Sequence, residues 1–165
     1  MSFADEILEN YRANQLKWDR RFMELARHVS GWSRDPSTKV GAVVVDSRRV
    51  VLGMGYNGFP RGVNDDEERY NDRPTKYKLV VHAELNAVLA AGDKARRASI
   101  YVYPAFGCPP LCSNCAKAVI QAGIKRVVGY TPDIDPATAG RWKEELDAAY
   151  LMCKEAGVEM RMIDP

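Results

Sequence analysis

Histidine is nearly missing from this chain: among 165 residues only His28 and His82 carry an imidazole. A dominant charge is missing as well, with 24 basic residues against 22 acidic ones and a formal net charge of +2. Such a balance gives no electrostatic ground for nucleic acid or an anionic membrane as partner. No apolar run approaches the roughly 20 residues needed to cross a bilayer. The opening Met1-Ser2-Phe3-Ala4-Asp5-Glu6 lacks the pattern of a signal peptide. A cytoplasmic protein with reduced thiols is therefore expected. Repeats, low-complexity segments and linkers are also lacking, so a single domain over residues 1–165 is expected, long enough to bury a core.

Cysteine is sparse but unevenly placed. Of the four, Cys108, Cys112 and Cys115 crowd together, and Cys153 stands apart. A chain of this length does not need disulfide staples, and in a reducing compartment such a cluster reads as metal-binding or redox.

The coarse pattern along the chain is α/β. Ser2-Phe3-Ala4-Asp5 reads as a helix-capping start of a short helix. A second helix carries Phe22, Leu25, Ala26 and Val29 and ends near Gly31. Val40 to Val45 and Val50 to Gly55 read as two strands joined by the turn Asp46-Ser47-Arg48-Arg49, and so short a connection makes them antiparallel. Residues 56–79 are charged and without a clear period, hence a functional or disordered loop. Then follow a helix from His82 to Ala91, a strand from Ser99 to Tyr103, a helix from Cys112 to Ala122 and a strand from Lys125 to Tyr130. Asp135-Pro136 opens the last helix, Gly157 stops it, and Val158 to Ile163 forms the final strand. Alternating strands and helices in the second half imply right-handed crossovers and a mainly parallel sheet. The expected architecture is a three-layer α/β/α fold on a five-stranded mixed sheet whose first two strands are antiparallel.

The chemistry concentrates at two helix starts. His82-Ala83-Glu84 opens one helix and Cys112-Ser113-Asn114-Cys115 another. A helix start presents free N–H groups and partial positive charge, which favour thiolate over thiol. Cysteines three apart share a helix face, so both sulfurs can point at one atom. With the His82 imidazole they make three ligands of the types zinc prefers, leaving a fourth position for water. Metal-bound water acidifies to a pKa near roughly 7. Glu84, two residues past His82, points away from the ligand direction and faces that water. It is placed to take the proton and deliver it to the substrate. The His-x-Glu and Cys-x-x-Cys pattern is that of the zinc nucleobase deaminases.

Four segments narrow this further: Val81 to Ala87, Cys112 to Ile124, Arg34-Asp35-Pro36-Ser37-Thr38-Lys39-Val40-Gly41-Ala42, and Gly55-Tyr56-Asn57-Gly58-Phe59-Pro60-Arg61-Gly62. Together they resemble the deoxycytidylate (dCMP) deaminase family, in family order, from about residue 20 to 130. The zinc motif alone marks the superfamily; the Gly-Tyr-Asn-Gly-Phe-Pro-Arg-Gly segment selects the dCMP deaminases. In one respect the chain departs from the family, which usually has proline directly before the first zinc cysteine. Here Leu111 takes that place, and Cys108 offers a rival ligand. Cys112 is favoured because it shares a helix face with Cys115, whereas Cys108 sits behind two stiffening prolines.

The resemblance implies hydrolysis of dCMP to dUMP and ammonia, with Glu84 catalytic and His82, Cys112 and Cys115 on zinc. Ser33, Arg34, Asp35 and Lys39 become candidates for the substrate's 5′-phosphate region, since a phosphate needs cationic or N–H partners. Asn57 is the candidate for the sugar, Ala83 for the base through its backbone, and Tyr130 a further substrate candidate. The resemblance also implies a regulatory nucleotide site, with dCTP activating and dTTP inhibiting. Its candidates are Gly55, Tyr56, Asn57, Gly58, Arg61, Gly62, Asn64 and Asp65, with magnesium offsetting the triphosphate charge. Hexamers are implied too.

Blander readings stand beside these. The cysteine pair alone reads equally as a redox pair, and Cys108 as fourth ligand would close the site into a structural zinc centre. His28 reads as a surface or capping residue, Cys153 as core filler, and Lys94, Arg96 and Arg97 as a solvated loop. Asn57 between glycines is also an ordinary turn residue. Among enzymes, another cytosine compound, a pterin or pyrimidine precursor, or an RNA base are rival substrates. Outside enzymes, a silent zinc-stapled nucleotide-binding module is the alternative, though a structural site has no use for Glu84.

Overall fold

The computed structural model describes residues 1–165. Its first element, α1 (Phe3–Ser30), is one helix where the sequence reading expects two. Ser2 closes a capping box with Asp5: Asp5 N donates to Ser2 Oγ at 3.2 Å, and Ser2 N donates to Asp5 Oδ2 at 2.9 Å. No glycine or proline interrupts residues 3–30, and Phe3, Ile7, Leu8 and Tyr11 carry helical spacing through the solvent-exposed first half, so one helix runs on into the packed second half. Only its second half packs, through Phe22, Met23, Ala26 and Val29.

Strands β1 (Gly41–Val45) and β2 (Val51–Tyr56) form the expected antiparallel hairpin. Asp46 Oδ1 organises its turn by accepting from Arg48 N and Val50 N at 2.8 and 2.9 Å. The stretch expected as a loop holds two short helices, α2 (Glu67–Asn71) and α3 (Arg73–Leu79). Neither has a periodic apolar face; tertiary contacts hold them, including a Phe59–Tyr70 ring stack at 4.1 Å between centroids. Then come α4 (Ala83–Ala91), β3 (Ser99–Tyr103), α5 (Ser113–Gln121), β4 (Arg126–Tyr130), α6 (Pro136–Glu155) and β5 (Glu159–Ile163). Asp135 caps α6 by accepting from Ala137 N and Thr138 N, both at 3.0 Å.

The sheet order is β2-β1-β3-β4-β5. Parallel pairing is confined to β3–β4 and β4–β5, and β1 is antiparallel to both its neighbours. The sheet is thus mixed and not mainly parallel. The chain leaves edge strand β2, crosses through α4 and returns on the far side of β1, so β3 runs with β2 and against β1.

Alternate strand residues feed two cores. Ala42, Val44, Ile100, Val102 and Val127 pack under α4, α5 and α6, while Val43, Val45, Tyr101 and Val128 pack under α1. These are the three α/β/α layers. Helix α4 lies so close to β2 that a Cβ on Gly55 would sit 2.3 Å from the Ala83 carbonyl oxygen. That contact fixes where α4 begins. No helix is long and apolar enough to cross a membrane.

Candidate active site

His82 and Cys112 are the N-cap residues of α4 and α5, both with extended backbone. Helix α5 turns Cys115 back onto the same point, and Cys115 N donates to Cys112 Sγ at 3.5 Å. The His82 Nδ1 atom lies 3.4 Å from each sulfur. Zinc bonds of about 2.3 Å to sulfur and about 2.0–2.1 Å to nitrogen, at tetrahedral angles, separate such donors by about 3.5 Å. Both nitrogen–sulfur spacings therefore match those around a zinc ion, and all three donors lie within 4.8 Å of one another. Cys108 is exposed and stands outside this group. Leu111 is 2 % exposed in the core under α5, and burying such a side chain contributes about 1.5–3 kcal/mol. It thereby anchors the loop immediately before Cys112.

Proton affinities in the group follow from crowding. Cys112 is lowered, chiefly because its sulfur accepts from the Cys115 thiol and stands beside His82. Cys115 is raised, chiefly because its thiol donates to the Cys112 sulfur, and burial adds to this. His82 is raised by its contact with Cys112, against the opposing effect of burial. Glu84 is raised by burial, with the His82 charge pulling the other way. Its carboxyl sits in the first turn of α4, beside the donors and not among them.

Around the donors the structure adds two residues that the sequence did not single out. Glu145 of α6 accepts from Ser113 Oγ at 2.5 Å and Ser113 N at 3.2 Å, which ties down the first turn of α5. Lys76 of α3 pairs with the fully buried Asp35 at 2.6 Å and donates to Ser37 Oγ at 2.9 Å. Glu145 meets a partner 32 residues away and Lys76 one 39 residues away, so no local pattern reveals their role.

Ser33, Asp35 and Asn57 form one buried network. Asp35 Oδ1 accepts from Ser37 N and Thr38 N at 2.9 and 3.1 Å. Asn57 accepts from Val40 N at 2.8 Å and donates to Thr38 O at 2.8 Å and to Asp35 Oδ2 at 3.4 Å. Ser33 Oγ donates to the Asn57 carbonyl at 2.8 Å. These side chains face one another, so in this state they shape the loop. The next residue, Gly58, bridges to Val81, the neighbour of His82. The network is thus fastened to the donor group through two backbone hydrogen bonds, of 3.1 and 2.8 Å.

The other candidates are spread more widely. Arg34 and Lys39 are exposed, and Arg34 pairs with Asp65 at 3.2 Å. Asp65 also accepts from Tyr70 Oη at 2.6 Å, which, after burial, helps push the Tyr70 phenol up to about 12. Ala83 opens α4 beside His82. Gly55 is consumed by the contact with α4, and the Tyr56 carbonyl accepts from Asn86 Nδ2 at 2.9 Å. Arg61, Gly62 and Asn64 are exposed, with Gly62 at φ 81°. Tyr130 lies in the core on the α1 side of the sheet and donates to Glu24 Oε1 at 2.9 Å. The structure does not bring it to the donors, which sit on the α4–α5 side.

Comparison with known proteins places this geometry in context. Residues 16–131 match the model of the cytidine and deoxycytidylate deaminase zinc-binding region. The chain is 37% identical over 171 residues to deoxycytidylate deaminase of Homo sapiens, covering 97% of this chain and 87% of that one. It is 40% identical over 144 residues to an uncharacterized deaminase in the luxG 3′ region of Aliivibrio fischeri, covering 87% and 92%. Among solved structures, dCMP deaminase from the cyanophage S-TIM5, in complex with dCMP and dUMP, superimposes with a TM-score of 0.65 at 24% identity over 99% of both chains. That likeness shows a shared fold.

Proposed function

Because this chain belongs to the cytidine and deoxycytidylate deaminase family, we propose that it hydrolyses dCMP to dUMP and ammonia as one catalytic domain. The observation that carries this reading is the convergence of His82 Nδ1, Cys112 Sγ and Cys115 Sγ beside the buried Glu84 carboxyl. Similarity to deoxycytidylate deaminases over nearly the whole chain supports dCMP as the substrate.

His82, Cys112 and Cys115 would hold the catalytic zinc, which when bound supplies an acidified water as nucleophile. Glu84 takes a proton from that water and delivers it to the ring nitrogen next to the amine-bearing carbon. The carbon–oxygen bond forms as the ring carbon–nitrogen π bond breaks and the ring nitrogen takes that proton. Glu84 then carries the proton of the new hydroxyl to the amine, the carbon–amine bond breaks as the carbonyl forms, and ammonia leaves. The Ala83 backbone at the start of α4 orients the base. Arg34 and Lys39, both exposed cations, are the candidates for the 5′-phosphate. Ser33, Asp35 and Asn57 position that loop, and Asn57 is the candidate for the sugar. The discriminating experiment is an ammonia-release assay with dCMP, dCTP, cytidine and cytosine, with and without a chelator. Preferential turnover of dCMP that the chelator abolishes is expected; turnover of free cytosine alone, or none, would overturn the substrate assignment.

We also infer, from the resemblance, regulation by dCTP and dTTP with magnesium, hexamer assembly and a cytoplasmic setting. The ion pair Arg34–Asp65 supports a route for regulation, since it links a phosphate candidate to the candidate regulatory segment Gly55–Asp65. Coupling of the usual size would let dCTP shift apparent dCMP affinity by roughly 5–150-fold. Saturation curves with and without each triphosphate measure it, and identical curves for wild type in every condition would remove regulation. An unchanged effect in Arg61→Ala would move the site elsewhere.

A further inference from the structure

Two non-glycine residues have left-handed backbone, and both are arginines: Arg49 at φ 68° and Arg97 at φ 64°. A Cβ makes this conformation unfavourable, and glycine or asparagine takes it more readily. Arg49 ends the β1–β2 turn and Arg97 precedes β3, so the two are far apart in sequence. Both nevertheless line the same cleft, of about 500 Å³. It opens where β1 ends at Val45 and β3 begins at Ser99, the end of the sheet opposite Tyr103, Gly41 and Tyr56, where the metal donors lie.

Arg12 from α1, Arg161 from β5 and Arg126 from β4 complete the basic lining. The carboxylates of the wall are already engaged. Asp19 is held by Arg126 at 2.7 Å, Glu159 meets Arg126 at 3.3 Å, and Asp46 meets Arg48 at 3.1 Å. Arg12, Arg49, Arg97 and Arg161 have no ion-pair partner. Four exposed arginines from four separate segments thus line one cleft with no carboxylate paired to them, which leaves each free to meet an anion. The Arg49 head rests 4.6 Å over the Trp18 ring, which holds it at the wall.

We propose that this cleft binds an oligophosphate, a chain of linked phosphates, at a site separate from the metal centre. Guanidinium groups match phosphate oxygens bidentately, and four of them suit a chain better than a single phosphate. The volume suits a small ligand. Two sources share this chemistry: a free phosphate chain and the tail of a nucleoside triphosphate. The inference is independent of the deaminase reading.

Isothermal titration of the full chain with inorganic tripolyphosphate tests it, with orthophosphate and ATP as further arms. Tripolyphosphate should bind, orthophosphate should bind at least about tenfold more weakly, and added salt should weaken both. The double variants R49G/R97G and R12A/R161A should each lose about tenfold or more. R49G/R97G should also unfold no earlier than wild type, because glycine relieves the left-handed backbone; R12A/R161A repeats the test at unstrained positions. Tighter binding of ATP would assign the site to a nucleoside triphosphate tail, and equal binding to the phosphate chain itself. No tripolyphosphate binding, orthophosphate binding equally well, or affinities unchanged in both double variants would overturn the proposal.

Discussion

A carboxyl as buried as that of Glu84 is costly to ionise, because water no longer solvates its charged form. Its raised proton affinity, opposed by His82, suits a group that must hold a proton and then release it at neutral pH. Glu84→Gln keeps the shape and removes the proton carrier. Zinc should remain at one per chain by metal analysis while turnover falls at least about a hundredfold. Activity within a few-fold of wild type would take Glu84 off the proton path. The donors make a second residue-level contrast. Cys112→Ala removes one of the two sulfurs that stand 3.4 Å from His82 Nδ1, and should abolish both stoichiometric zinc and activity. Cys108→Ala, at an exposed position, should keep both. Zinc lost from both variants would instead mean that Cys108 joins the metal and closes the centre.

Helix α4 carries His82 and Glu84 at its start, so the donor group inherits whatever displaces that helix. Gly55→Ala would place a Cβ 2.3 Å from the Ala83 carbonyl and 2.4 Å from Ala87 N, both rigid backbone atoms. A destabilisation of about 1–3 kcal/mol is expected, read as a lower thermal midpoint, together with reduced kcat in the absence of any regulatory nucleotide. A variant with unchanged midpoint and kcat would free Gly55 for another role. Elements whose ends are written in local side chains were legible in the sequence: Asp135 capping α6, His82 and Cys112 opening α4 and α5, Gly157 ending α6. So was the donor set, because its spacing is local to two helix starts. Elements held by distant partners were not. Helices α2 and α3 depend on Tyr70 meeting Phe59 and Lys76 meeting Asp35, and no window of sequence contains those pairs with their geometry. The antiparallel β1–β3 pairing was hidden for a similar reason, since alternation of strand and helix constrains only β2 relative to β3. Glu145 and Lys76 escaped notice because an isolated charge on a surface-like segment carries no sign of its partner.

At the scale of the whole molecule, two buried carboxylates join parts of the chain that are remote in sequence. Asp19 binds α1 to the sheet through Tyr101 Oη at 2.8 Å and Arg126 at 2.7 Å, and Asp35 binds its loop to α3 through Lys76. Burial alone would raise both pKa values. For Asp19 the opposing contacts of Arg126, Tyr101 and Gln15 prevail, and for Asp35 those of Lys76, Ser37 and Thr38, so both end below the ordinary carboxylate value of 3.8. A carboxyl depressed in the folded state favours folding whenever it is ionised. That contribution is complete above the unfolded-state pKa, near pH 4, and is lost as pH falls through the lower folded-state values. The thermal midpoint should therefore be insensitive to Asp19 and Asp35 titration between about pH 5 and 7 and decline steeply below about pH 4. Other carboxylates also titrate there, so the comparison that isolates these two is Asp19→Asn with Asp35→Asn. The double variant should be less stable at pH 7, because each change leaves a buried cation without its counter-charge, an effect of about 3–5 kcal/mol for a fully buried pair and less where water reaches it. Its midpoint should then fall less than that of wild type between pH 5 and 3, since the protons whose uptake drives the decline have nowhere to bind. Parallel decline in both proteins would mean that acid unfolding is driven by carboxylates elsewhere, and a wild-type midpoint rising toward pH 3 would reverse the sign of the linkage.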